Sequence, residues 1–359
     1  MSSCWGRNLR VSIFGESHGS AIGCVVDGLP AGEKIDLEAL RHFLSRRAPG
    51  QGAHATARKE SDAPEILSGL LDGHTTGAPL AAVIVNCDQH SGDYDSLRDI
   101  PRPGHADYPA QIRYRGCQDA RGGGHFSGRL TAPMCVAGGI AMQILERRGV
   151  IVGAHLLNVG EVDDTPFDAV SPTAAELLAP GRAFFPVNDA AAGERMLREI
   201  ADAAAHGDSV GGCIEVAAIG VPAGIGSPIF DGVENRLAAL FFGIPAVKCV
   251  EFGSGKAVGR MRGSQDNDPY VVVDGCIRTA TNHHGGALGG ITTGMPIIAR
   301  LSIKPTPSIA QPQSSVSLSR LEPVELRIKG RHDPCIAPRA VPVAEAAMAL
   351  GLLDLMGPF

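Results

Sequence analysis

Gly220-Val221-Pro222-Ala223-Gly224, answered further on by Gly290-Ile291-Thr292-Thr293-Gly294-Met295-Pro296, repeats two turns of the first half, Gly28-Leu29-Pro30-Ala31-Gly32 and Gly73-His74-Thr75-Thr76-Gly77-Ala78-Pro79. Each first turn precedes a helix pattern. In the first half Asp36 reads as an N-cap with Leu37, Leu40 and Leu44 on one face, and in the second half Asp231 opens a helix carrying Val233, Leu237, Leu240 and Phe241. Each second turn leads into an apolar strand, Leu80 to Asn86 and Ile297 to Ile303. Gly-Pro-Thr sets are common punctuation, so chance is one account of the likeness; a duplicated strand-helix-strand core is the other and also explains the shared order. Two related halves would meet at a cleft, where a ligand sits.

The remaining elements fit a mixed fold. Leu9 to Phe14 and Ile22 to Val26 read as strands joined by Gly15-Glu16-Ser17-His18-Gly19. Thr131 to Arg148 is apolar almost all round and stops at Gly149, which predicts a buried helix. Glu194 to Ala205 has a single apolar stripe, and Ala344 to Met356 reads as the last helix. Segments 51–59, 87–118, 170–188, 251–269 and 304–322 have little pattern and read as long loops of the functional kind.

The chain has 359 residues, 44% of them hydrophobic, enough for a large core in one unit spanning 1–359. A net charge of -6, a pI near 6.1 and no basic run argue against nucleic acid. No apolar run approaches the roughly 20 residues of a bilayer span and the N-terminus has no signal pattern, so no membrane partner and a cytoplasmic location are expected. Nine cysteines stand singly, which suggests free thiols rather than disulfides or a zinc ribbon.

Chemistry concentrates in a few polar turns. Arg331-His332-Asp333-Pro334-Cys335-Ile336-Ala337-Pro338-Arg339, running on to Glu345, gathers two guanidinium groups, an imidazole and a carboxylate. It reads either as an anion site or as a charged surface loop entering the last helix at Pro342. Glu16-Ser17-His18 sits in a glycine-bounded turn, and His105 lies in Arg102-Pro103-Gly104-His105-Ala106-Asp107; each is a candidate general acid or a plain surface turn. Arg121-Gly122-Gly123-Gly124-His125-Phe126-Ser127-Gly128-Arg129 opens onto the buried helix as an anion-binding loop would, without the lysine of a P-loop. Asn282 to Gly290 and Lys304-Pro305-Thr306-Pro307-Ser308 offer two more such turns. The histidines have no i, i+4 pair, so no metal site is expected.

Taken in this order over nearly the whole chain, these motifs closely resemble the chorismate synthase family. The resemblance implies an α+β fold: a β-α-β sandwich with two antiparallel sheets and surrounding helices, internally pseudo-duplicated. It implies a lyase that converts 5-enolpyruvylshikimate 3-phosphate into chorismate by anti-1,4-elimination of phosphate, the last common step of the shikimate pathway. It further implies reduced FMN (FMNH2) as cofactor although the net reaction is redox-neutral, and a homotetramer. By matched position, His18 would protonate the departing phosphate and His105 would contact the flavin near N1 and the C2 carbonyl. Asp333 would help flavin nitrogen 5 take the carbon 6 proton, with Ser17 and Ser127 as relays. Flavin would contact His125, Phe126, Ser127, Ala246, Gly289, Lys304, Pro305, Thr306, Pro307, Ser308 and Arg331, and substrate would meet Arg47, Arg129 and Arg339. His125, Ala53 and Leu130 depart from residues common in the family, and Arg58 or Lys59 could replace the cation absent at Ala53.

Two other readings use the same residues. A flavin-dependent reductase would consume NADP or a related nicotinamide, but no dinucleotide fingerprint is present; a non-catalytic flavin or sugar-phosphate binder would keep the pocket without His18, His105 and Asp333. Whether reduced flavin comes from a separate reductase or from nicotinamide use by this chain stays open.

Overall fold

Two five-stranded antiparallel sheets enclose the long helices. The computed structural model describes residues 3–48, 62–86, 98–328 and 333–358. The first half contributes β1 (Cys4–Trp5), β2 (Arg10–Gly15), β3 (Ala21–Asp27), β4 (Glu65–Ser68), the short pair β5 (Leu70–Leu71) and β6 (His74–Thr75), and β7 (Leu80–Val85). Their sheet runs β1-β2-β3-β7-β4. The second half contributes β8 (Ile151–Val159), β9 (Val162–Asp163), β10 (Gly212–Ile219), β11 (Val247–Phe252), β12 (Tyr270–Val273), β13 (Cys276–Thr279), β14 (Ala287–Leu288), β15 (Ile291–Thr292), β16 (Ile297–Ile303), β17 (Gln313–Ser317) and β18 (Glu322–Leu326). There the large sheet runs β11-β16-β10-β8-β9, and β12-β13, β14-β15 and β17-β18 are separate hairpins.

The helices are α1 (Leu37–Arg47), α2 (Asp107–Tyr114), α3 (Thr131–Arg147), α4 (Ala174–Arg182), α5 (Ala190–Ala205), α6 (Val233–Gly243), α7 (Gly263–Asp266) and α8 (Ala337–Met356). α3 packs on β3 and β7, α8 packs on β8 and β10, and the two helices pack on each other, giving sheet, helices, sheet in layers. In β3 and β7 the residues facing α3 alternate along the strand, with Ile22, Cys24, Val26, Leu80, Ala82 and Ile84 buried. β8 and β10 show no such alternation. Val152 to Leu156 and Ile214 to Ala218 are buried without a break, because α8 covers one face while α4 and Phe167 close on the other.

Side-chain capping agrees with the expected start of α1, whereas α6 begins at Val233, behind Gly232, and not at Asp231. Asp36 accepts from the amides of Glu38 at 2.8 Å and Ala39 at 3.0 Å, with Arg46 and Arg47 in the last turn of α1. Three further expectations need correcting. α8 begins at Ala337 rather than Ala344, so Pro338 is its first-turn proline and Pro342 lies one turn inside, on a helix buried enough to absorb one missing bond. α5 begins at Ala190 rather than Glu194, with Asp189 accepting from Ala191 N at 2.9 Å. α2, α4, α7, β17 and the last two residues of β11 occupy segments expected to be patternless. Among the described residues no helix is long and apolar enough to cross a bilayer.

The paired turns carry the same bonds. Thr75 Oγ1 donates to Pro30 O at 2.6 Å and accepts from Glu33 N at 2.9 Å; Thr292 Oγ1 donates to Pro222 O at 2.6 Å and accepts from Ile225 N at 2.9 Å. Gly32 N donates to Thr75 O at 2.7 Å and Gly224 N to Thr292 O at 2.9 Å. The hydroxyl, which valine would lack, adds two bonds to the backbone ties between each turn and its strand.

α3 and α8 cross through small residues. A Cβ at Gly138 would fall 2.3 Å from the Ala346 Cβ and 2.7 Å from its carbonyl oxygen, so Gly138→Val is expected to lower stability by about 1–3 kcal/mol or more. Denaturant unfolding measures this; an unchanged midpoint would mean that the crossing is looser than drawn.

Candidate active site

A run of three glycines organises the site. Gly122, Gly123 and Gly124 have φ of 59°, 96° and 53°, a left-handed path that side chains with a Cβ resist. Close packing adds a second reason. A Cβ on Gly122 would stand 2.0 Å from His18 Cε1 and 3.1 Å from Ser17 Oγ, while one on Gly123 would stand 3.2 Å from His105 Nε2. Two imidazoles from distant turns therefore lie against consecutive residues of one loop. Ser17 N donates to Gly124 O at 3.1 Å, which fixes the His18 turn to that loop. Ser127 follows, its Oγ accepting from Arg129 N at 3.2 Å at the entry to α3. Gly122→Ala would push His18 aside; turnover is expected to fall at least about 10-fold with the fold retained, since misplacement of catalytic groups is costly in rate. Wild-type turnover would show that His18 does not work from this position.

His105 is held from its other side. Its Nδ1 lies 2.5 Å from Asp107 Oδ1, and Arg102 donates to Asp107 through Nε at 2.7 Å and Nη2 at 2.8 Å. Burial pushes the Asp107 carboxyl up, but the bonds from Arg102 and His105 outweigh it and hold the group well below the usual carboxylate range.

The arginines are paired rather than loose. Asp62, buried, accepts from Arg47 Nε at 3.0 Å and Nη2 and from Arg129 Nη1, so one carboxylate holds two guanidinium groups side by side. Burial raises the Asp62 carboxyl and the two arginines more than reverse this, so it stays ionised. Arg47 also donates to Thr131 Oγ1 at 3.2 Å, and Arg129 Nε to Asn86 Oδ1 at 3.1 Å. Arg339 donates to Asp333 through Nη1 and to Arg47 O through Nε at 3.0 Å. Burial pushes Arg339 below the usual guanidinium range against the attraction of Asp333, though an arginine so placed still carries its charge. Lys304, its Nζ donating to Gly104 O at 2.9 Å, is pushed down by burial and then by Lys248. Glu345, at the far end of the Arg331-to-Glu345 block, turns away from this set to accept from Arg46 at 2.6 and 2.9 Å.

These groups border a cavity of about 680 Å³, within the roughly 300–1,000 Å³ usual for small-molecule sites. Among the described residues six cationic side chains line it, Arg47, Arg102, Arg129, Lys248, Lys304 and Arg339, against one carboxylate, Asp333. His105, His125, Phe126, Ser127, Ala246, Thr306, Pro307 and Ser308 line it too. His18 and Ser17 do not; they are buried one layer back, behind Gly122, which does. Pro305 lies outside the wall, its ring packed near Gly211. Gly289 is exposed at the tip of the β14–β15 hairpin, so this cavity does not account for the expected flavin contact there. Arg331, His332, Ala53, Arg58 and Lys59 lie outside the described residues. Leu130 is buried in the main core.

The sequence reading missed Asp62, Asn86 and Lys248, and gave Arg102 and Asp107 no separate role. Asp62 adjoins a patternless segment and Lys248 is a lone cation on a strand, so neither carried a signal. Arg102 and Asp107 did, since they bracket His105 within six residues.

A family model described as chorismate synthase matches residues 9–356. The chain belongs to the chorismate synthase family. Chorismate synthase of Thermococcus gammatolerans is 49% identical over 97% of this chain and 96% of the relative, and that of Pyrococcus abyssi is 50% identical with the same coverage. A structure titled "Crystal Structure of Chorismate Synthase" superposes with a TM-score of 0.78 at 28% identity, covering 98% of this chain and 92% of the other. Membership of the chorismate synthase family makes the protein a lyase that converts 5-enolpyruvylshikimate 3-phosphate into chorismate and phosphate.

Proposed function

We propose that the cavity holds 5-enolpyruvylshikimate 3-phosphate and reduced FMN together, with His18 and His105 as proton donors on one glycine loop. The observation that carries this reading is that both imidazoles touch consecutive glycines beside a cavity with six cations. Two anionic molecules need such a set. The residues fit a flavin mononucleotide: Lys304 and Lys248 offer charge for a phosphate at one end, while Phe242, Ile244, Ala246 and Val343 offer apolar surface for a ring. Reduced flavin, when bound, supplies electron density that stabilises positive charge developing on the substrate ring.

The chain's own residues do the rest. Arg47, Arg129 and Arg339 bind the substrate's phosphate and carboxylates, and the carboxylates of Asp62 and Asp333 keep those guanidiniums aligned. His18 gives its proton to the phosphate leaving ring carbon 3, with Ser17 as relay; Asp333 serves removal of the carbon 6 proton, with Ser127 as the second relay. His105 holds a proton toward the flavin. His125, Phe126, Ser127, Ala246, Lys304, Thr306, Pro307 and Ser308 seat the cofactor. The test is chorismate formation with FMN reduced in advance, under anaerobic conditions. Turnover without stoichiometric nicotinamide consumption supports the proposal; binding of both ligands without turnover would favour a non-catalytic binder, and consumption of nicotinamide per product would favour a reductase.

We also propose a homotetramer. Hairpin β12-β13 exposes Tyr270, Val272 and Ile277 and pairs with no other strand among the described residues, and an isolated two-stranded hairpin is marginally stable in water; burial against other copies would stabilise it. Sedimentation measures the state, and a monomer at working concentration would refute it. The matched hydrogen bonds of the paired turns support pseudo-duplication of the halves. A cytoplasmic location suits a biosynthetic enzyme, and reduced flavin would come from a separate reductase or from NADP-dependent reduction here.

A further inference from the structure

We infer that Asp107, anchored by Arg102, is a positioning residue that decides which nitrogen of His105 works at the cavity. The inference rests on the role proposed for His105 above. His105 Nδ1 has two neighbours, Asp107 Oδ1 at 2.5 Å and Arg102 Nη2 at 3.0 Å. A guanidinium can only donate and an ionised carboxylate can only accept, so the two neighbours make opposite demands on Nδ1. The closer one wins. A bare Nδ1 would set its lone pair against a carboxylate oxygen at 2.5 Å, whereas a protonated Nδ1 makes a charge-assisted bond there. Asp107 cannot escape by taking the proton itself, because it accepts from Arg102 at three atoms: Nε at 2.7 Å, Nη2 at 2.8 Å and the backbone N at 3.0 Å.

With Nδ1 committed, Nε2 is the nitrogen that exchanges protons, and it lies on the ring edge that faces Gly123. The charged groups around the ring are Asp107 and Arg102, with Lys304 bonded to the neighbouring Gly104 carbonyl. Arg102 cancels the charge of Asp107, so the clamp orients the imidazole without placing a bare anion beside an anion-binding cavity. Arg102 also donates to Ser308 Oγ at 3.3 Å. The same guanidinium thus sets the imidazole relative to the Lys304-to-Ser308 turn.

The test is long-range proton–nitrogen correlation NMR on the full protein labelled with 15N-histidine, at a pH where the ring is neutral. The His105 signals are identified by their loss in His105→Gln. Expected are a protonated Nδ1 and a bare Nε2 in the wild type, and a mixed tautomer in Asp107→Asn. In the same variant kcat should fall about 10- to 100-fold, the usual loss when a histidine's orienting partner is removed, with KM nearly unchanged. Asp107→Glu should recover part of it. A wild-type spectrum with the proton on Nε2 would overturn the inference, and needs no variant to fold; so would unchanged tautomer and kcat in Asp107→Asn. The spectrum is independent of chorismate formation, so its failure and the failure of the proposed function are separable.

Discussion

Replacing His18 or His105 by alanine is expected to lower chorismate turnover about 10²- to 10⁴-fold, the usual worth of general acid–base help. The two losses should differ in kind. His18 is buried behind Gly122 and close to Ser17, off the cavity wall; its removal should act on kcat with little change in flavin affinity. His105 lines the cavity itself, and its removal should weaken flavin binding as well as slow turnover. Stopped-flow turnover and flavin titration on both variants separate the cases. Full activity in either variant would remove the role assigned to that imidazole.

Asp62→Asn is expected to cost about 3–5 kcal/mol of folding stability, the scale for breaking a buried ion pair from one side. Arg47 and Arg129 would then face each other without their shared carboxylate. Against a total of about 5–15 kcal/mol for a typical domain, that is a large fraction. An anionic ligand should repair part of the loss, so 5-enolpyruvylshikimate 3-phosphate should raise the unfolding midpoint of the variant more than that of the wild type. Acid should mimic the substitution. Asp62 and Asp107 are held below their unfolded range, so the stability they contribute is complete above about pH 4 and is lost as pH falls through their folded-state values. Denaturant midpoints between neutral and acid pH check this. A variant as stable as the wild type, with no gain from the ligand, would show that the arginines find other counterions.

The elements legible in the sequence were those marked by a cap, by a long apolar run stopped at glycine, or by a repeated turn. Asp36, the run from Thr131 and the repeated Gly-Pro-Thr turns marked α1, α3 and the strands beside them. β8 and β10 left no trace because both their faces are buried, which erases the period-two pattern. The hairpin β12-β13 left none for the opposite reason: Tyr270 to Val273 are all exposed, so no side alternates. At the site, glycines and prolines flagged the loops that carry His18, His105 and the Lys304-to-Ser308 turn. What they could not flag were side chains acting from behind the wall. Asp62, which holds two arginines, depends on contacts that form only when the chain folds.

The most direct measurement is a crystal structure of the protein with reduced FMN and 5-enolpyruvylshikimate 3-phosphate bound together. The expected result is a substrate whose anionic groups meet Arg47, Arg129 and Arg339, a flavin seated against Lys304 to Ser308, and His18 and His105 at the loop between them. Ligands bound elsewhere, or a cavity that admits only one of the two while His18 stays walled off, would contradict the reading of this site.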